Sequence, residues 1–82
     1  MPVRAYILIK CAAGTGRSVQ QGLRRLAVAD AKVLSSDAIV GPFDLIALLE
    51  SHDLDRLGHA VNDGIRRLYG VERTATCLIT EL

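Results

Sequence analysis

The chain predicts an α+β fold of the ferredoxin-like βαββαβ type: a four-stranded antiparallel sheet with two helices on one face. Three observations predict it. Extended apolar runs and helical stripes follow one another in the order strand, helix, strand, strand, helix, strand. The gap between the second and third strands, Gly41-Pro42-Phe43-Asp44, is too short for a parallel crossover, so those strands pair antiparallel. The two halves also echo each other, closing their helices with Leu26-Ala27-Val28 and with Leu68-Tyr69-Gly70-Val71. Two right-handed split βαβ units then interleave, and strand order 4-1-3-2 puts the first and third strands in the centre. Those two have the most apolar sequences.

Val3 to Cys11 alternates, with Val3, Ala5, Ile7, Ile9 and Cys11 on one face and Arg4, Tyr6, Leu8 and Lys10 on the other. Its centre is apolar on both faces, as a central strand requires. The break Ala12 to Ser18 offers Thr15 or Ser18 as a helix cap. Val19, Gly22, Leu23 and Leu26 then recur at helical spacing, and this helix ends near Ala27. Ala31 to Val40 is the second strand, interrupted by Ser35-Ser36-Asp37, and Asp44 to Glu50 is the third. Asp53 to Tyr69 is the second helix: Leu54, Leu57, Val61, Ile65 and Leu68 form its stripe, Asp53 suits the N-cap, and Gly70 suits the position after its end. Val71 to Ile79 is the fourth strand.

With 82 residues this is a single domain, residues 1–82. A chain this small hides only about 60–65% of the surface that it exposes when unfolded. Half of its residues are apolar, but only Tyr6, Phe43 and Tyr69 are aromatic, so the core is aliphatic. The sheet face away from the helices has no cover within the chain. Tyr6, Leu8 and residues of the third strand fall there, which predicts a face-to-face homodimer. A net charge of +1 gives no footprint for nucleic acid or for an anionic membrane. No apolar run is long enough for a spanning helix, and the N-terminus lacks the pattern of a secretory signal. Cys11 and Cys77 lie in apolar surroundings and are expected as buried free thiols of a cytoplasmic protein rather than a disulfide.

Several short motifs carry possible chemistry. Gly14-Thr15-Gly16-Arg17 follows a strand and opens a helix, but the third glycine of a dinucleotide fingerprint is replaced by Val19, so a capped turn is expected. His52 and His59 have no companions at metal-ligand spacing and read as surface residues; no metal site and no cofactor is expected. Arg24-Arg25 and Arg66-Arg67 suit helix C-termini. Thr74, Thr76 and Thr80 share one face of the last strand, either as plain strand residues or as hydroxyls offered to a small polar ligand. At the turn, Gly41 tolerates positive φ, Pro42 fixes its own φ, and Asp44 can accept from backbone N–H groups. That is a well-specified hairpin. It also sets a carboxylate beside an aromatic ring at a sheet end, a combination suited to a zwitterion.

The stretches Ala5–Cys11, Val40–Glu50 and Asp53–Ile79 resemble the effector-binding (RAM) domain of the Lrp/AsnC family of amino-acid-responsive regulators. The most specific parts are Gly41-x-Phe43-Asp44 and Gly70-Val71-x-Arg73-Thr74-x-Thr76. The resemblance implies a βαββαβ fold that dimerises into an αβ-barrel, with dimers assembling into rings, often octamers. It implies an amino-acid effector pocket between dimers, formed by Gly41, Pro42, Phe43 and Asp44 on the turn side and by Thr74 and Thr76 on the strand side. It further implies a non-enzyme linked to transcriptional regulation, with full-length Lrp/AsnC regulators as possible partners. Because the first strand begins almost at once, the chain looks like a stand-alone form without a helix-turn-helix and is not expected to bind DNA directly. Phe43 replaces a tyrosine common at its position, which shifts the expected ligand toward apolar side chains. The segment from Ala27 to Ser36 is a few residues longer than usual. Two alternatives stay open: a small αβ-barrel enzyme of monooxygenase or isomerase type, with His59 as the available base, and a purely structural oligomerisation domain.

Overall fold

A computed structural model describes residues 2–26 and 30–81. Its strands are β1 (Val3–Cys11), β2 (Ala31–Ala38), β3 (Leu45–Ser51) and β4 (Val71–Leu78), and they form one sheet in the order β2-β3-β1-β4. All three neighbouring pairs are antiparallel. The expected order is the observed one, and β1 and β3 occupy its centre.

Alternation decides which side of these central strands is inside. Ala5, Ile7 and Ile9 are fully buried and Cys11 nearly so, while Arg4, Tyr6, Leu8 and Lys10 turn to the other face. In β3, Leu45, Ala47 and Leu49 point inward, with Ile46, Leu48 and Glu50 opposite. Ile7 faces Ala47 across the ladder, so the two inward sets meet on one side. The helical segments cover that side with Val19, Leu23, Leu57, Ala60, Val61 and Ile65, completing one core cluster. Each fully buried aliphatic side chain there contributes roughly 1.5–3 kcal/mol.

The first helix, α1 (Gly16–Arg24), buries Val19 and Leu23. Thr15 stands at its N-cap position, but its hydroxyl donates to the Ala12 carbonyl at 2.7 Å instead of accepting from a helix N–H. The helix ends at Arg24, with Arg25 as its C-cap, before the expected end near Ala27. Gly22 lies on the packed side: a Cβ there would come within 2.9 Å of Leu68 Cδ2, so its smallness lets the two helical segments approach.

The second helix departs from expectation. Residues Leu54–His59 form α2, followed by a π-helical turn over Ala60–Gly64 and a 3-10 turn over Ile65–Arg67. Asn62, Asp63 and Gly64 are weak helix formers, and the wider turn falls on them. Asp53 caps α2 as expected, its carboxylate accepting the Arg56 N–H at 2.8 Å. Leu54 is exposed, so the buried stripe begins only at Leu57. Gly70 has φ +99°, and a Cβ on it would strike Thr15 Oγ1 at 2.5 Å. It is therefore required both by its backbone angle and by the loop before α1.

Smaller corrections concern strand ends. β2 stops at Ala38 rather than Val40, and a register shift between Val33 and Ser35 bulges the strand where serines interrupt its pattern. β3 starts at Leu45, one residue after Asp44, and β4 stops at Leu78. Cys77 is exposed rather than buried, because it lies opposite Tyr6 on the uncovered face; both cysteines are free. That face carries Tyr6, Leu8, Ile46, Leu48, Ala75 and Cys77, with Arg4 and Glu50 paired at 2.7 Å toward one end. No helix among the described residues is long and apolar enough to cross a membrane.

Candidate functional site

Asp44 joins three strands. Its N–H donates to the Ile9 carbonyl at 2.9 Å, and its own carbonyl accepts the Ile39 N–H at 2.9 Å. The β1–β3 ladder would end there, since β3 turns away into Gly41-Pro42-Phe43. Instead Asp44 Oδ2 accepts the Cys11 N–H at 2.8 Å, the side chain acting where a backbone carbonyl would otherwise sit. The turn can take this path because Gly41 adopts φ +155°, a conformation that residues with a Cβ rarely reach.

Charged groups gather at the same corner. Lys10 Nζ lies 3.6 Å from Asp44 Oδ2, with both side chains more than a third exposed. Lys10 is directly opposite Arg73 in the β1–β4 register. The Arg73 guanidinium lies over the Phe43 ring, 5.2 Å from its centroid, within the range of a cation–π contact. Beside this corner runs a cleft of about 380 Å³ lined by Lys10, Cys11, Ala12, Ala13, Gly14, Gly16, Asp44 and Glu72. Burial, and then the charge of Asp44, push the Cys11 thiol above its ordinary pKa, with Lys10 opposing. Cys11 thus lies protonated at the cleft wall and is no thiolate nucleophile.

Of the residues singled out in the sequence, Phe43 and Asp44 reach this corner, and Gly41 and Pro42 are exposed in the turn that precedes it. Thr74 and Thr76 lie elsewhere within the chain. They pair with Ile9 and Ile7, so they stand on β4, two strands from Leu45, on the helix side of the sheet. Lys10 and Arg73 escaped the sequence reading. Arg73 belongs to the quoted ending motif, but its place over Phe43 depends on cross-strand register, which the local sequence does not state.

The other candidates are plain surface features. His52 and His59 are exposed, and His59 Nδ1 lies 3.0 Å from Asp63 Oδ2. Among the described residues no group of three His, Cys, Asp or Glu side chains could hold a metal ion. Two further hollows, about 250 Å³ beside Ser51 and about 650 Å³ between α1 and β2, do not touch the turn.

No family model matches the chain, and no curated protein matches it. Solved structures do. The architecture is that of a regulatory α+β domain. FFRP-DM1 superposes with a TM-score of 0.82 at 31% identity, over 95% of this chain and 99% of its own. TTHA0845 from Thermus thermophilus superposes with a TM-score of 0.85 at 29% identity, over 98% of this chain and 95% of its own. The chain belongs to the Lrp/AsnC family and corresponds to its effector-binding (RAM) domain. Two transcriptional-regulator structures share the fold at lower identity, and the chain spans about half the length of each. They are AsnC of E. coli (TM-score 0.84, 17% identity, 98% of this chain and 52% of its own) and NMB0573 of Neisseria meningitidis in complex with L-methionine (0.79, 21%, 96% and 50%).

Proposed function

We propose that this domain is a non-catalytic amino-acid sensor, linked to transcriptional regulation through its state of assembly. The observation that carries the reading is the Asp44 carboxylate, tied to β1 yet still partly open to solvent, beside Phe43 and a cleft. A carboxylate so placed suits an ammonium group, and the related fold of NMB0573 is known as a complex with L-methionine. Gly41, Pro42, Phe43 and Asp44 form the turn side of the pocket. Thr74 and Thr76 form the strand side and are supplied by a neighbouring subunit, since within one chain they lie beyond β1.

Assembly follows from the uncovered sheet face, whose apolar centre is buried when a second copy packs on it as an αβ-barrel dimer. Dimers then associate into a ring, for which an octamer is the reference size, and mixed rings with full-length Lrp/AsnC regulators give a route to transcription. The ligand at the seam between dimers stabilises whichever assembly binds it better. With a balanced charge the domain acts through partners rather than by gripping DNA or a membrane. The test is calorimetric titration with each of the twenty amino acids, alongside mass measurement. One or a few should bind and shift the assembly; if none binds and the mass never changes, the reading fails.

A further inference from the structure

We infer that Arg73 and Lys10 form the carboxylate-recognising half of the effector site, opposite Asp44, so that the site takes free α-amino acids and rejects those whose carboxylate is blocked. This rests on the amino-acid reading above and adds two residues to it.

The first ground is that two adjacent cations, one of them unpaired among the described residues, stand at this corner. Lys10 and Arg73 face each other directly across the β1–β4 ladder. Like charges in that position repel. Asp44 lies 3.6 Å from Lys10. Among the described residues, no carboxylate comes within 4.0 Å of Arg73. Glu72 is shifted out of the β1–β4 pairing, borders the cleft, and makes no ion pair with either cation. Glu72 brings the total charge of this corner to balance, yet Arg73 has no ion-pair partner among the described residues.

The second ground is geometry. The Arg73 guanidinium lies over the Phe43 ring, 5.2 Å from its centroid, and its N–H donors have no protein acceptor among the described residues. A guanidinium steadied by an aromatic ring and with free N–H donors can grip a carboxylate with two parallel bonds. Phe43 precedes Asp44 in the chain, so this fork stands next to the carboxylate. Asp44 in turn uses only Oδ2 within the protein; Oδ1 has no donor among the described residues. The corner therefore presents one free acceptor and one free donor group, of the two kinds that an ammonium and a carboxylate require.

The test begins with the calorimetric screen of the wild-type protein and takes forward the tightest-binding amino acid, its methyl ester and its N-acetyl derivative. The ester loses the carboxylate charge and the N-acetyl compound loses the ammonium. Each should bind wild type about tenfold to a hundredfold more weakly than the parent, the range for losing a charge-assisted hydrogen bond. In Arg73→Gln the parent should weaken to the level of the ester, so that the acid-to-ester ratio falls to within about threefold, while the preference over the N-acetyl compound persists. Asp44→Asn should show the reverse pattern, and Arg73→Lys should recover part of the acid-to-ester ratio. Arg73 is exposed, and circular dichroism should show its variants folded. If Arg73→Gln keeps the wild-type acid-to-ester ratio, the assignment is wrong although the amino-acid reading survives. If wild type binds none of the twenty, both fall.

Discussion

Replacing Asp44 by alanine and by asparagine separates what its side chain does for the fold from what its charge does. Both variants keep the main-chain bonds to Ile9 and Ile39, because those use the backbone. Alanine removes the acceptor of the Cys11 N–H, bonded at 2.8 Å to Oδ2. Cys11 is only 7% exposed, so water is poorly placed to take over. An amide orphaned in this way costs about 1–3 kcal/mol. Losing the half-exposed contact with Lys10 adds at most about 1 kcal/mol. Asparagine retains an oxygen acceptor and loses only the charge, so it should cost less than about 1 kcal/mol.

The expected gap between the two variants is thus about 1–2 kcal/mol, a large share of the roughly 4–12 kcal/mol available to a domain of this size. Urea unfolding followed by far-ultraviolet circular dichroism measures it. Protein concentration is held fixed, because self-association adds to apparent stability. The denaturant slope should stay constant while the midpoint moves. Should alanine prove as stable as wild type, or asparagine as damaging as alanine, the side chain is not an essential member of the ladder.

Ile7→Ala removes a fully buried side chain from the middle of β1 and should cost about 2–5 kcal/mol by the same urea assay; a loss below about 1 kcal/mol would contradict the packing described. The hydrogen bond that His59 donates to the Asp63 carboxylate, and then the charge of Asp63, raise the pKa of His59 above its ordinary 6.5. Any stabilisation from this pair is therefore fully present below the unfolded-state value and is lost as pH rises through the folded one. A proton NMR titration should find His59 above 6.5 in wild type and back near it in Asp63→Asn; an ordinary value in wild type would remove the pairing. Cys77 should be alkylated faster than Cys11, since one is exposed and the other buried with a raised pKa. If the open face is the dimer face, its rate should also fall as protein concentration rises, and a constant rate would argue against that packing. Leu48→Asp, on the same face, should yield a folded monomer by sedimentation, and unchanged assembly would show that copies associate elsewhere.

The sequence made the fold legible where burial alternates strictly. β1 and β3 read as they fold, and their apolar character agreed with the central places that the interleaved βαβ units assign them. Asp53 was recognisable because capping is local chemistry between neighbouring residues. The π-helical turn was not. Leu57, Val61 and Ile65 keep a four-residue spacing that an ordinary helix would also show, and only Asn62-Asp63-Gly64 hinted at the break. Thr15 looked like a helix cap, but whether a hydroxyl donates or accepts depends on the loop it faces. The candidate site was half legible. Gly41 to Asp44 announce a turn by composition, whereas Lys10 and Arg73 join it through register, a property of three strands at once.

The Asp44 geometry limits how binding at this corner could be signalled. Its two carboxylate oxygens differ: Oδ2 holds Cys11 and stays close to Lys10, and Oδ1 has no donor among the described residues. A bound ammonium then need not break the bond that holds the hairpin, and the ligand-free protein keeps its turn in place. Signalling by folding or unfolding of the hairpin is disfavoured by this arrangement. Signalling by contact across subunits is favoured, because a ligand on Oδ1 leaves the hairpin intact and can be closed over by a neighbouring chain. Asp44→Asn is the discriminating variant. It preserves the hairpin, so a sensor should retain its ligand-free mass and lose only its response to amino acids. A purely structural assembly domain would show no response to lose, in wild type or in the variant.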